Sequence, residues 1–299
     1  MKQKLPKHIG GESIMKTNVG LSHPGFKNNC ERECAFTLTE LLVVMATLAI
    51  LAAVMLPALA KSGDNGMRTV CLNNLRQMGT ALNMYAGENQ DTMPWPNWGN
   101  NGPPCPAGWL YSPNPNTPNN LEIVTPGAWA TLRDDNLKTG TFWQYLNKAD
   151  LYFCPAFLAN VVGTKGPLPI PNWENYENKL SSYCMNGASC FFPPLGISSI
   201  YGYRSCKVSQ IWSPSCIILW EPSGTSGSGY GYNDGANYPS TDEGVSCLHV
   251  TVANVLTVSG NARVMSFTDF LAEMNNPPAN VHNKGKGLLW WNPNSNNGH

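Results

Sequence analysis

The chain has 299 residues with a formal net charge of zero, and only 13% of its residues are charged. This length suffices for one sizeable domain or two small ones. Because phosphate recognition needs an excess of lysine and arginine on one face, the balanced charge argues against a nucleic-acid partner.

The first element in chain order is an apolar segment at residues 36–60, FTLTELLVVMATLAILAAVMLPALA. No charged residue occurs between Leu41 and Ala60. Twenty helical residues span about 30 Å, which matches the hydrocarbon core of a bilayer. A soluble helix of this length would carry a polar stripe, whereas this one has only Thr47. The segment therefore predicts a transmembrane helix.

Residues 1–35, which precede this helix, hold six lysines or arginines and three acids. By the positive-inside rule, this excess predicts a cytoplasmic N-terminus and a C-terminal domain on the other side of the membrane. An ordinary secretory signal peptide is the alternative, with cleavage near Ala58–Ala60. Two features argue against a signal peptide. The basic region is unusually long, and the carboxylate of Glu40, just inside the apolar run, is costly to insert into a membrane.

The stretch CAFTLTELLVV at residues 34–44 resembles the processing site of type IV prepilins and of type II secretion pseudopilins. In that family a peptidase cuts before a Phe, which here is Phe36, and the preceding residue is Gly or, less often, Ala, as in Ala35. Counted from Phe36, Glu40 is the fifth residue, where the family has a glutamate. Pro57 is the twenty-second, where the family often has a proline.

The resemblance implies cleavage between Ala35 and Phe36 by a prepilin peptidase and methylation of the new amine of Phe36. The leader of 35 residues is longer than most and shortens to 21 if translation starts at Met15. In a filament, Glu40 would pair with the Phe36 amine of a neighbouring subunit, which neutralises two charges in lipid. Pro57 would either kink the helix or mark its exit from the membrane.

The implied function is a structural subunit of a pilus or of a type II secretion pseudopilus, without enzymatic activity. Its partners would be the cytoplasmic membrane, the prepilin peptidase and other pilin-like subunits. It would be a single-pass protein of the inner membrane with a periplasmic or extracellular head. The alternative is a membrane-tethered domain that recognises carbohydrate or protein and uses the same export signal.

After the polar interruption at 62–66, an apolar stripe predicts an amphipathic helix over residues 61–90 that packs on its own domain. The stripe consists of Cys71, Leu75, Met78, Leu82 and Tyr85. We expect the long N-terminal helix to be broken near Pro57 and again near Gly63. The helix also resembles N-L-R-Q-x-G-x-A-L-x-x-Y sequences in a subgroup of pilin-like proteins from planctomycete-type and lentisphaera-type bacteria.

Residues 91–299 predict an extracytoplasmic globular domain. Strands are expected at 150–154, stopped by Pro155, and at 216–220, and a surface loop at 224–244. A hairpin is expected from 250–258 and 262–267, with Gly260 at positive φ in the turn. The predicted fold class is α+β: a long N-terminal helix on a small antiparallel sheet with long loops, as in pilins.

The hairpin carries a weaker resemblance to the same subgroup, in which a His is followed nine residues later by Asp-Gly. Here nine residues separate His249 from Ser259-Gly260, so serine replaces the acid. We interpret His249 as a hydrogen-bonded structural histidine rather than as a ligand or a base.

Eight cysteines follow the apolar segment, and an even number in an exported domain favours disulfides over buried free thiols. They are Cys71, Cys105, Cys154, Cys184, Cys190, Cys206, Cys216 and Cys247. The absence of a C-x-x-C motif argues against a zinc ribbon.

No local catalytic motif is present, and we expect no cofactor. Oxygen donors cluster at Asp234, Asp242 and Glu243, where type II pseudopilins bind calcium in a C-terminal loop. The spacing is not that of an EF-hand, so a solvated turn is the simpler interpretation. Seven tryptophans suggest a role in binding sugars or proteins, although packing in the core is the simpler interpretation. They are Trp95, Trp98, Trp109, Trp129, Trp173, Trp290 and Trp291.

Overall fold

The structure is a computed structural model that describes nine segments of the chain. It divides the chain into two units, Met1–Ala53 and Val54–His299. The described segments are 36–98, 106–112, 133–161, 180–190, 204–223, 235–241, 243–249, 252–275 and 287–293. The predicted leader at residues 1–35, Cys105, Asp234 and Asp242 lie outside them.

Helix α1 spans Leu38–Glu88, a length of 51 residues. The predicted breaks near Pro57 and Gly63 are wrong, because the helix continues through both positions. A proline removes one helical hydrogen bond, and a glycine makes a helix less stable than alanine does by about 1 kcal/mol. Neither cost ends a helix when the residues on both sides of it are helical. The helix ends where the chain turns left-handed, at Gln90 (φ 55°) and Asp91 (φ 67°).

The first part of α1 is long and apolar enough to cross a membrane. This stretch, Leu38–Leu56, has 19 residues, and all of their side chains are exposed. The predicted apolar helix near the N-terminus is therefore confirmed.

The later part of α1 contributes to the core of the second unit. Cys71, Leu75, Met78 and Leu82 are buried, and Tyr85 is half-buried. The predicted stripe is thus confirmed. Its partners in the core include Tyr152, Phe157 and Trp220.

The sheet has five strands in the order β3-β1-β2-β4-β5. Strand β1 pairs in parallel with β3, while the other neighbours are antiparallel. The sheet is therefore mixed, and the prediction of an antiparallel sheet is wrong at this edge. The strands are β1 Cys184–Asn186, β2 Ile217–Trp220, β3 Ala236–Asn237, β4 Val252–Thr257 and β5 Ala262–Ser266.

Two predicted segments adopt different structure. Residues 150–154 do not form a strand: a 3-10 helix covers Ala149–Tyr152, and helix α3, Pro155–Val161, follows. Pro155 begins this helix because proline suits the first helical position, where no N–H bond is needed. Residues 236 and 237, predicted in a surface loop, form the buried strand β3. The other short helices are α2 Trp143–Leu146 and α4 Phe267–Met274.

The β4–β5 hairpin is confirmed, and its turn lies against α1. Gly260 has φ +82°, the positive value predicted for it. A Cβ atom on Gly79 of α1 would lie 2.8 Å from the Gly260 Cα atom. Two glycines thus let the helix and the turn approach closely. Ser259, at the position of the subgroup's acid, shares a hydrogen bond with the Thr257 hydroxyl.

Candidate functional site

Glu40 lies in the first turn of α1 and is paired with Thr37. The Thr37 N–H donates to Glu40 Oε2 at 2.8 Å, and the Glu40 N–H donates to the Thr37 hydroxyl at 3.2 Å. This reciprocal pair is a capping box, which satisfies N–H groups at the start of a helix. The T-x-x-E signal is readable in the sequence, and it gives Glu40 a capping role in addition to the pairing with a neighbouring Phe36 amine that the resemblance implies. Phe36 is 71% exposed, whereas Ala35 lies outside the described residues.

The second unit contains a buried group of four side chains, Cys71, Cys154, Glu221 and His249, which we call the Cys/His/Glu cluster. One donor atom from each lies within 4.8 Å of those of the other three. All four residues are at most 1% exposed. The cluster therefore brings two sulfurs, one nitrogen and one oxygen together in the protein interior.

The four residues come from separate parts of the chain. Cys71 lies on α1, and Cys154 directly precedes α3. Glu221 directly follows β2, and His249 lies shortly before β4. Their convergence depends on how the helices pack on the sheet, and no segment supplies two of them.

The distances inside the cluster are short. Cys71 Sγ and Cys154 Sγ are 2.8 Å apart. His249 Nε2 lies 3.4 Å from Cys154 Sγ and 3.4 Å from Glu221 Oε1. One ring nitrogen of the histidine thus faces both a thiol and a carboxylate.

Further polar groups hold the histidine and the glutamate in place. His249 Nδ1 lies 3.4 Å from Asp64 Oδ1, a carboxylate on α1. Glu221 Oε2 accepts from the Asn254 backbone N–H at 2.8 Å, and Glu221 Oε1 accepts from the Asn254 side-chain amide at 3.2 Å. These contacts orient the His249 ring and the Glu221 carboxylate within the cluster.

Burial and neighbouring polar groups have opposing effects on the pKa values of Cys71, Cys154 and His249. Hydrogen bonding with Cys154 lowers the pKa of Cys71, whereas burial raises that of Cys154 well above its usual value. Burial alone would lower the pKa of His249, but its interactions with Cys71 and Glu221 outweigh this effect and raise it to about 10. Hydrogen bonding and charge thus favour the charged forms of Cys71 and His249, whereas burial favours the neutral form of Cys154.

His249 agrees with its predicted structural role and also has neighbours that its sequence context did not indicate. The residue is buried and hydrogen-bonded, as predicted, and it lies beside two thiols and a carboxylate, which are side chains of metal-binding type. Sequence spacing could not show this, because Cys71, Cys154 and His249 are separated by 83 and 95 residues. The only local signals were the cysteine in the apolar stripe and the histidine before the hairpin.

Seven of the eight cysteines predicted to form disulfides are described, and no disulfide joins any two of these seven. Six of the seven are buried, and Cys247 is exposed. Burial raises the pKa of Cys206 and of Cys216 to about 12, which keeps both as neutral thiols. The disulfides stay a prediction for the oxidised protein.

Of the three residues proposed for calcium, only Glu243 is described. Its carboxylate accepts from the Tyr238 backbone N–H at 2.6 Å, so this side chain already supports the fold. Of the five described tryptophans proposed for recognition, Trp98 is half-buried and four are buried: Trp95, Trp109, Trp290 and Trp291. These four pack in the interior, where they cannot stack on a ligand.

Comparison of the chain with protein-family models, curated proteins and solved structures finds no match.

Proposed function

We propose that this protein is a pilin-like structural subunit that is anchored in the cytoplasmic membrane and assembles into a pilus or pseudopilus. The observation that carries the proposal is the composition of α1. One helix supplies 19 exposed residues of apolar character and then a stripe that is buried in a globular core. Such a helix is an anchor and a core element at once, as the prepilin resemblance implies.

The exposed part of α1 needs an apolar environment. Leu41, Leu48 and Leu56 are each more than half exposed. Each such side chain is stabilised by roughly 1.5–3 kcal/mol when it leaves water. A bilayer provides this environment before assembly, and the same helices of neighbouring subunits provide it in a filament.

Glu40 has two separable tasks in this proposal. In its own chain its carboxylate caps the helix by accepting from the Thr37 N–H. In the filament the carboxylate also pairs with the methylated amine of Phe36 from a neighbour. The first task needs only an oxygen acceptor, whereas the second needs a negative charge.

The test compares Glu40→Gln with Thr37→Ala in cells that process and assemble the protein. The glutamine keeps an acceptor for the Thr37 N–H but loses the charge, so we expect normal cleavage and failed incorporation. The alanine removes the hydroxyl cap but keeps the charge, so we expect incorporation to persist. Intact mass with N-terminal analysis measures cleavage and methylation at Phe36, and the protein recovered in sheared filaments measures assembly.

Two results would contradict the proposal. One is a mature N-terminus near Ala60, which indicates an ordinary secreted protein. The other is incorporation of the Glu40→Gln variant at the wild-type level, which would leave Glu40 with a capping role alone.

A further inference from the structure

We propose that the Cys/His/Glu cluster is a structural zinc site that joins α1 to the remainder of the second unit. The ligands are Cys71 Sγ, Cys154 Sγ, His249 Nε2 and a carboxylate oxygen of Glu221. This inference goes beyond the proposed function, since neither export nor assembly requires a metal.

The donor set selects the metal. Zinc is bound in proteins by thiolate sulfur, imidazole nitrogen and carboxylate oxygen, and all three donor types occur here. Calcium and magnesium take oxygen ligands, so two thiols exclude them. The side chains supply four donors, which completes a tetrahedral shell and leaves no position for substrate. The site is therefore structural rather than catalytic.

The spacing of the donors fits tetrahedral coordination after a small adjustment. Bonds of about 2.0–2.3 Å place the donor atoms of a tetrahedral zinc site about 3.3–3.8 Å apart. His249 Nε2 meets this requirement, at 3.4 Å from both Cys154 Sγ and Glu221 Oε1. The two sulfurs, at 2.8 Å, must separate by about 1 Å, which rotation about the cysteine side-chain bonds can provide.

The surroundings match those of a metal-binding histidine. Such a histidine commonly directs its second ring nitrogen to a carboxylate, which fixes the ring and increases its basicity. Asp64 Oδ1 takes this position, 3.4 Å from His249 Nδ1. Asn254 orients the carboxylate of Glu221 in the same way, through its backbone and side-chain N–H groups.

Charge is balanced by proton release. Zinc binding releases the protons of both thiols to solvent, His249 coordinates through Nε2 as a neutral imidazole, and coordinated water leaves the metal. The bound site then holds Zn²⁺, two thiolates, one carboxylate and a neutral imidazole, with one net negative charge. No oxidant or reductant takes part, because each new bond is formed by a lone pair of the ligand.

The first experiment uses the wild-type full-length chain in detergent micelles. The protein is reduced, stripped with a chelator, incubated with Zn²⁺ and dialysed, and its zinc content is measured by elemental analysis. We expect one ion per chain and a melting temperature raised by about 10 °C over the stripped protein. Co²⁺ in place of zinc should give the visible absorption of a tetrahedral site and thiolate-to-metal charge transfer.

The second experiment assigns the ligands. Cys71→Ser and His249→Gln should each bind zinc at least about tenfold more weakly. Cys71→Ser, which keeps only one of the two thiolates, should also show weaker thiolate-to-metal charge transfer with Co²⁺. Cys206→Ser is the matched control, since it also places a hydroxyl where a buried thiol was but lies outside the cluster. Cys247→Ser removes the exposed thiol and controls for binding at the surface. Both controls should keep one ion per chain.

Three results would overturn the proposal. They are a wild-type protein that retains far less than one zinc per chain, ligand variants that bind zinc as tightly as the controls, and a native protein whose peptides are crosslinked between Cys71 and Cys154. The last result would make the pair a disulfide. Because the wild-type measurements need no variant, the proposal stays testable even if the ligand variants fail to fold.

Discussion

Replacing Gly79 by alanine tests the close approach of α1 to the hairpin turn. The added Cβ would lie 2.8 Å from Gly260 Cα and 3.1 Å from Leu256 Cδ1. Carbon atoms pack best at about 3.5–4.0 Å, so the first contact is too short by most of an ångström. The obstacle is backbone, which no side-chain rotation can remove, and the helix and the turn must separate.

Two opposing effects set the expected magnitude. Alanine favours a helix over glycine by about 1 kcal/mol. Overpacking in a tight core costs about 1–3 kcal/mol. We therefore expect Gly79→Ala to destabilise the second unit by about 1 kcal/mol. Gly66→Ala is the matched control, because Gly66 lies on the same helix with nothing within 4 Å of an added Cβ, and this variant should be stabilised.

Thermal unfolding of the full-length chain in detergent measures the difference. The two variants should differ by about 2 kcal/mol, which corresponds to about 4–8 °C in melting temperature for a unit of this size. If Gly79→Ala melts at or above the temperature of Gly66→Ala, the close packing of α1 on the turn is refuted.

Three further variants test separate contacts. Gly260→Ala should lower the free energy of unfolding, measured in urea, by about 1–2 kcal/mol, because residue 260 has a φ of +82°. A variant as stable as wild type would show that the turn adapts to alanine. The Ser209 hydroxyl and backbone N–H hold the pKa of Asp91 below its usual value. Their contribution to stability is therefore complete above about pH 4 and disappears as the pH falls through the lowered pKa. Asp91→Asn should be less stable than wild type at neutral pH and equal to it in acid, and a difference that persists in acid would contradict this. Asn186→Ala removes donors to two backbone carbonyl oxygens and should cost about 3 kcal/mol in chemical unfolding; a loss under about 1 kcal/mol would contradict these buried bonds.

Local patterns made several elements predictable. The apolar run at 41–60 and the stripe from Cys71 to Tyr85 depend only on composition and helical period, and both agree with α1. The hairpin and the positive φ of Gly260 follow from turn chemistry of the same local kind.

Two predictions that depend on proline and glycine are wrong, and each has an identifiable physical cause. The sequence predicts that Pro155 ends a strand, whereas Pro155 begins α3, because proline is compatible with both positions and the choice depends on packing. Pro57 and Gly63 are predicted to break α1, yet both lie within it. The helical residues on either side of them outweigh the local preference of proline and glycine against a helix.

The amino-acid sequence by itself determined the apolar N-terminal helix, the buried stripe and the glycine turn, because each depends on residues only a few positions apart. Tertiary structure alone decided the parallel pairing of β3 with β1 and the meeting of Cys71, Cys154, Glu221 and His249. These contacts join segments that are tens of residues apart, and they form because burial of the whole core outweighs local preference. No spacing rule applied to one segment could therefore have found the cluster.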